Sequence, residues 1–240
     1  MGRLSASDRL ALLGQACRLQ GKLLLSLLHR ATFGAAIRLD LDELLPPDSE
    51  AAHKATLLCT QVSSPFLVTH CQRMYVWARL LGERQTLRYD SELLYVACML
   101  HDLGLTPAYA GCGEHAECFT VDSVQGAGAV ARHAEWPPER QDALAEAILL
   151  HLNVDVPLRQ GVEAHLLHEA AALDVLGLRS WEIAPETRKV CVERFPRWNF
   201  KKEIAALFDR ESRERPHGRA RFLRRYCGFM PLLRLAPFSE

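Results

Sequence analysis

The sequence predicts an all-α fold, and three patterns support this prediction. Apolar residues recur at three- and four-residue spacing, as at Leu93, Ala97 and Leu100, which is the period of one buried helix face. Segments such as Ser63-Ser64-Pro65 are typical helix starts, because serine caps the first turn and proline fits within it. No segment alternates apolar and polar residues over the length of a strand, so no sheet is predicted.

The predicted helices follow one another along most of the chain. Residues 6–34 form one or two amphipathic helices, and a connector containing Pro46-Pro47 separates them from the rest. The Ser-Ser-Pro start opens a helix that Gly82 is predicted to end, since glycine commonly follows a last turn. The remaining helices are predicted over 50–60, from an Asp90 cap to Gly104, from Asp122 through Val130, from Trp136-Pro137-Pro138 to His151, and over 162–176, 186–194 and 200–211.

Composition fits one globular domain with appended segments. The chain has 240 residues, of which 49% are hydrophobic, and its formal net charge is +0. This balance gives no electrostatic footprint for nucleic acid or an anionic membrane, and no apolar run is long enough to span a bilayer. Eight scattered cysteines without a CxxC pair indicate reduced thiols in a cytoplasmic protein. We predict a small-molecule substrate as the partner and leave open a homo-oligomer.

Five polar residues lie on apolar helix faces or at their ends, where a charge is costly unless it is paired or bound to a metal. His70, for example, shares its face with Met74 and Trp77. Imidazole and carboxylate together suit zinc, iron, manganese, cobalt or nickel, and a bound divalent ion lowers the pKa of its water to about 7. We therefore predict one divalent metal ion, with zinc favoured. The five residues are His70, His101, Asp102, His151 and Asp174.

Their order along the chain resembles the HD-domain superfamily of metal-dependent enzymes, over roughly residues 50–180. An apolar run precedes His101-Asp102, Leu-Gly follows it, and Ala-Ala-Leu leads to Asp174. The resemblance implies an HD-domain helical bundle at 49–180, between an N-terminal helical extension at 1–48 and a C-terminal one at 181–240. It implies four metal ligands and a fifth residue at the active site or at a second metal. The ligands are His70, His101, Asp102 and Asp174, and the fifth residue is His151.

Finer motifs resemble the cyanamide hydratase-like branch of that superfamily, whose chemistry adds water to a nitrile carbon. They are His70-Cys-Gln-Arg73, Asp90-Ser-Glu-Leu-Leu-Tyr-Val-Ala, His101-Asp-Leu-Gly-Leu-Thr106 and Phe119-Thr-Val-Asp122. Two-metal branches place a further histidine four residues before a Gly-Ala pair. Here Asp122 holds that position before Gly126-Ala127, which favours a single metal.

Roles for the other site residues follow from this reading. Asp102 is the best candidate to take or relay a proton, and His151 or Asp122 would assist it. Asp122 also suits a helix cap. We expect the substrate to contact Arg73, Thr106 and His133, although pairing with a carboxylate is the commoner fate of a partly buried arginine.

Three other functions stay open at this point. A phosphohydrolase acting on a nucleotide or phosphomonoester needs several cations around the phosphate, and the motifs contain few. A two-iron HD oxygenase would hold about two irons per chain. A non-catalytic metal-binding sensor would have closed coordination, whereas a catalytic metal keeps an open position.

Overall fold

The computed structural model describes residues 45–111 and 118–240, together with the single positions Leu10 and Gly14. Ten α-helices and three short 3₁₀ helices account for the regular structure of this part of the chain, which contains no β-strand element. The predicted all-α fold is confirmed. The α-helices are α1 (Glu50–Val62), α2 (Pro65–Arg84), α3 (Ser91–Leu100), α4 (Phe119–His133), α5 (Pro138–Leu150), α6 (Val162–Leu176), α7 (Pro185–Arg194), α8 (Phe200–Glu214), α9 (Arg219–Tyr226) and α10 (Phe229–Leu235).

The pair formed by α2 and α6 is the most extensive helix contact in the fold. α3 lies against α1, α2 and α5, and every residue of α3 from Leu93 to Leu100 is buried. Such a helix is apolar on all sides because neighbours surround it. The His101-Asp102 pair that follows therefore lies inside the bundle.

Local signals explain most helix boundaries. Asp90 caps α3 by accepting hydrogen bonds from the backbone N–H groups of Glu92 and Leu93, and Pro65 lies in the first turn of α2. Gly177 ends α6 in a left-handed conformation with φ of 72°. The predicted helix over 162–176 is confirmed with these bounds.

Four predicted boundaries were wrong. The helix predicted over 200–211 continues to Glu214, and the other three boundaries lie earlier in the chain. α2 continues through Gly82 to Arg84, because this glycine serves packing: a Cβ there would lie 2.7 Å from Tyr89 Cε1. α3 ends at Leu100, and a separate 3₁₀ helix covers Leu103–Leu105. α4 begins at Phe119 rather than at Asp122.

The C-terminal helices cover one end of the α2–α6 pair. α8 and α10 supply Phe200, Phe208 and Phe229 to a second apolar cluster that also contains Phe66 and Phe119. The rings of Phe208 and Phe229 stack with centroids 4.3 Å apart. The predicted N-terminal extension, 1–48, lies almost wholly outside the described residues, and the domain boundaries stay predictions. Among the described helices, none is long and apolar enough to cross a membrane.

Gly104 lies where the chain after Asp102 passes close to α4. A Cβ at this position would lie 2.1 Å from the carbonyl oxygen of Phe119, a backbone atom that cannot turn away. We expect Gly104→Ala to lower the free energy of unfolding by about 3 kcal/mol, measured by urea denaturation, because overpacking strains the core.

The matched control is Gly128→Ala on α4. Its Cβ would meet only the end of the flexible Arg132 side chain. We expect this change to be neutral or to stabilise the helix by up to about 1 kcal/mol. Equal stability of the two variants would contradict the close approach at Gly104.

Candidate metal centre

Three helix segments bring their polar residues to one point inside the bundle. His70 lies in the second turn of α2, His101 caps the end of α3, and Asp102 follows it. His151 is the corresponding cap at the end of α5. The exposed fractions of these four residues are 1%, 1%, 5% and 5%, so the cluster is almost completely buried.

The Asp102 carboxylate is the centre of this cluster. Its Oδ2 lies 3.5 Å from His70 Nε2 and 3.3 Å from His101 Nε2. Its Oδ1 lies 3.8 Å from His151 Nε2. Three imidazole nitrogens therefore point at the two oxygens of one carboxylate.

The other nitrogen of each ring, Nδ1, forms a hydrogen bond to a group other than Asp102. Nδ1 of His101 donates to the carbonyl of Cys98 at 2.9 Å, and Nδ1 of His151 donates to that of Ile148 at 2.7 Å. His70 Nδ1 lies 2.8 Å from Oδ2 of the Asp174 carboxylate. A carbonyl or carboxylate only accepts, so each Nδ1 carries a proton, and Nε2 of each ring faces Asp102, where it binds a cation once it is deprotonated.

The distances fit a shared metal ion. Two donors bound about 2.0–2.1 Å from one tetrahedral ion lie about 3.3–3.4 Å apart. The separations from Asp102 to His70 and His101 are near this value and are long for hydrogen bonds. Ligand atoms of all three residues lie within 4.8 Å of one another. The carbonyl or carboxylate that accepts from each Nδ1–H fixes the orientation of the ring, as is common for histidines that bind a metal.

The electrostatics of the cluster favour a bound cation. Burial alone would raise the pKa of Asp102, but the charge and hydrogen bonds of His101 and His70 lower it far below its usual range. Burial alone would likewise lower the pKa of His101, yet the Asp102 carboxylate raises it. Burial, and next the charge of His101, lower the pKa of His151 to about 3. A carboxylate that stays ionised in a dry site requires positive charge beside it.

Asp174 lies behind His70, outside the cluster of ligand atoms. Its Oδ1 accepts from Arg73 Nε and Trp77 Nε1, both at 2.8 Å, and lies 3.5 Å from Arg197 Nη1. Its Oδ2 accepts from His70 Nδ1 and from Arg73 Nη2 at 2.9 Å. Burial would raise the pKa of Asp174, but the two guanidinium groups hold it well below the usual range. The predicted role of Asp174 as a direct ligand stays a prediction, and the observed contacts make it the support of His70.

Four other predicted site residues are not brought to the cluster. Arg73 is fully buried in its bidentate pair with Asp174. Asp122 Oδ2 accepts from Arg215 Nη2 and from the N–H of Gly111, so this side chain connects its helix to two other segments of the chain. Besides Arg73, the predicted substrate contacts were Thr106 and His133. Thr106 Oγ1 donates to the Leu103 carbonyl, and His133 is largely exposed beside Glu50. None of the four lines the cavity described next.

A cavity of about 480 Å³ opens onto the cluster. His70, His101, Asp102 and His151 lie in its wall together with Phe119. The cavity continues along α6 and beneath α8, α9 and α10. The buried cluster is thus reachable by a small molecule.

Sequence reasoning missed two residues that shape the site. His168 lines the cavity, and its Nδ1 donates to the carbonyl of His151 at 3.0 Å. A signal was available, because His168 shares one helix face with Ala171, Ala172 and Val175. Arg197 is buried against Asp174, and no local pattern in the sequence marks this contact.

Residues 67–177 match the family model described as HD domain. This segment is an HD domain. It contains every predicted metal ligand and extends from α2 to the glycine after α6. Divalent metal ions bind to HD domains, and the His70, His101 and Asp102 of this one could hold such an ion.

Two similar proteins are cyanamide hydratase DDI2 and cyanamide hydratase DDI3 of Saccharomyces cerevisiae. Each is 23% identical to this chain over 180 residues, which cover 72% of this chain and 77% of the relative. These findings confirm the predicted HD-domain membership and the resemblance to the cyanamide hydratase-like branch.

Proposed function

We propose that this HD domain is a metal-dependent hydratase that adds water to the nitrile carbon of a small molecule. The observation that carries the proposal is the convergence of three Nε2 atoms on Asp102 at the wall of a cavity. Similarity to two cyanamide hydratases supports the reaction class. We propose a single ion at this site, held where His70 and His101 share one carboxylate oxygen.

His70, His101 and Asp102 would hold the ion. A divalent ion bound there supplies Lewis acidity, which makes water a nucleophile at neutral pH. Zinc is our first choice, and iron, manganese, cobalt and nickel accept the same ligands. Asp174 would fix the ring of His70 through its hydrogen bond to Nδ1, or would complete the ligand set as the sequence predicts.

His151 and Asp102 would handle the proton of the attacking water. With a pKa of about 3, His151 is neutral above that pH, so its Nε2 accepts a hydrogen bond and orients the water. Asp102 Oδ1 lies beside this nitrogen and can pass the proton onward. The water oxygen forms a bond to the nitrile carbon while one water O–H bond and one carbon–nitrogen π bond break, and the released proton ends on the nitrile nitrogen. Tautomerisation of the resulting imidic acid then gives the amide, which is urea when the substrate is cyanamide.

The charge of the cavity disfavours the phosphohydrolase alternative. Among the described residues, Arg179 is the one arginine or lysine in the lining, and it is bonded to Glu169 and Glu182. Recognition of a phosphate group needs cations that are not already neutralised. The predicted contact from Arg73 is unavailable because this residue is buried against Asp174.

The proposal is tested by elemental analysis followed by activity assays. We expect about one divalent ion per chain, conversion of cyanamide to urea by the loaded protein, and loss of this activity with a chelator. Turnover of p-nitrophenyl phosphate instead would favour the phosphohydrolase. About two irons per chain would favour the oxygenase. Tightly held metal without any turnover would favour the sensor.

A substitution at His151 tests its role in orienting water. We expect His151→Ala to lower kcat for hydration by about 10²-fold with metal content unchanged, because a positioned acid–base group contributes about 10²–10⁴. His151→Gln, whose amide oxygen can stand near the Nε2 position, should recover part of the loss. Loss of the metal in His151→Ala would instead make this residue a ligand.

A further inference from the structure

One face of α6 forms a long wall of the cavity. The wall contains His168, Ala171, Ala172, Val175 and Leu176, which recur at helical spacing. Eight residue steps along an α-helix correspond to about 12 Å. The cavity is therefore elongated, and its metal-binding cluster occupies one part of it.

The facing wall comes from the C-terminal helices and is apolar. It consists of Ile204, Phe208, Leu223, Phe229 and Leu232, from α8, α9 and α10. These side chains offer no hydrogen-bonding groups. A ligand lying between the two walls would be held by burial of its apolar surface.

Away from the cluster, the described residues of the lining leave no free arginine or lysine for an anionic ligand. Arg179 donates to both oxygens of Glu182 and to Glu169. Glu182 is also shared with Arg84, at 2.9 Å, and Asp155 adds an exposed carboxylate. A negatively charged tail would therefore meet carboxylates rather than a spare guanidinium.

The size of the cavity exceeds the needs of cyanamide. Cyanamide is little larger than two water molecules, each with a share of about 30 Å³ of the liquid. The volume of about 480 Å³ falls in the range of sites that bury drug-sized molecules, about 300–1,000 Å³. Cyanamide bound at the metal centre would leave most of the cavity unfilled.

We propose that the substrate is an uncharged nitrile with a hydrophobic tail, aliphatic or arylalkyl, that lies along α6 between its small residues and the C-terminal helices. The nitrile group lies at His101 and Asp102, and the tail fills the cavity. The proposal rests on the proposed hydration function and specifies its substrate class.

A chain-length series on the wild-type, metal-loaded protein is the first test. The compounds are cyanamide, butanenitrile, hexanenitrile and 5-phenylpentanenitrile, with 5-cyanopentanoate as the anionic member. We expect kcat/KM among the alkyl nitriles to rise about threefold to fourfold for each added methylene, the value for burying one such group. 5-Cyanopentanoate should be at least about tenfold poorer than hexanenitrile, because it carries an unpaired charge into an apolar cavity.

A cavity-filling variant localises the effect. Ala172→Phe places a ring between the walls, and we expect it to lower kcat/KM for 5-phenylpentanenitrile at least about tenfold. The matched control, Ala143→Phe on the exposed side of α5, should leave the value unchanged. Calorimetric titration of 5-phenylpentanenitrile into the wild type and both variants, with and without metal, measures binding separately from turnover.

The outcomes separate the two proposals. Turnover of cyanamide without any gain with chain length, and without calorimetric binding of 5-phenylpentanenitrile, would overturn the substrate class and leave the hydratase standing. Binding of 5-phenylpentanenitrile that Ala172→Phe removes, without turnover of any nitrile, would support the tail site and overturn the hydratase. Neither binding nor turnover would overturn both.

Discussion

Replacing Asp102 with asparagine should remove the metal and, with it, the activity. We expect metal content to fall from about one ion per chain to below about one tenth, because loss of a direct ligand exceeds the 10–100-fold cost of losing an outer partner. Asparagine keeps the shape of the side chain but not the charge that His70, His101 and His151 surround. Activity should fall at least about 10³-fold, by the kinetics of cyanamide hydration.

Asp142→Asn is the matched control for this change, since Asp142 lies on the exposed side of α5. It should retain both metal and activity. A folded Asp102→Asn protein that still holds one ion per chain would place the metal elsewhere. Circular dichroism and thermal melting establish that the variant is folded before its metal content is compared.

Replacing Asp174 with asparagine should have the largest effect on stability. The carboxylate is completely buried and neutralises Arg73 and Arg197, whose exposed fractions are 0% and 1%. Removing one partner of a buried ion pair costs about 3–5 kcal/mol, because a buried charge is left uncompensated. We expect a loss of this size in the free energy of unfolding, measured by urea denaturation.

The same denaturation in the presence of a chelator distinguishes the two roles of Asp174. If Asp174 supports His70 and pairs with two arginines, Asp174→Asn should lower the free energy of unfolding by the same about 3–5 kcal/mol without metal. If Asp174 acts only as a ligand, the substitution should lower it little once the metal is absent. Glu83→Gln, on the surface of α2 beside Arg79, is the control and should cost less than about 1 kcal/mol.

The core of the candidate site could be predicted because local patterns encode it. His70, His101 and His151 each follow from the apolar face on which they lie, and helix packing then brings these faces together. The pairing partners could not be predicted in this way. Asp122 meets Arg215 across 93 positions, and Arg73 meets Asp174 across 101. Such long-range pairs depend on tertiary packing rather than on residue periodicity.

The fold shows the same division. The helix over 162–176 begins and ends where glycine and apolar spacing predict, whereas Gly82 fails as a stop because it lies against Tyr89. Two helices near the C-terminus, α9 and α10, were not predicted as separate elements. They supply part of the apolar wall of the cavity.

The most direct test of the proposed metal centre is anomalous diffraction at the absorption edge of the bound metal, from crystals of the loaded protein. We predict one peak about 2.0–2.2 Å from Nε2 of His70, Nε2 of His101 and an oxygen of Asp102. A single peak bound by other residues, or fully loaded protein with no peak between these three side chains, would contradict it.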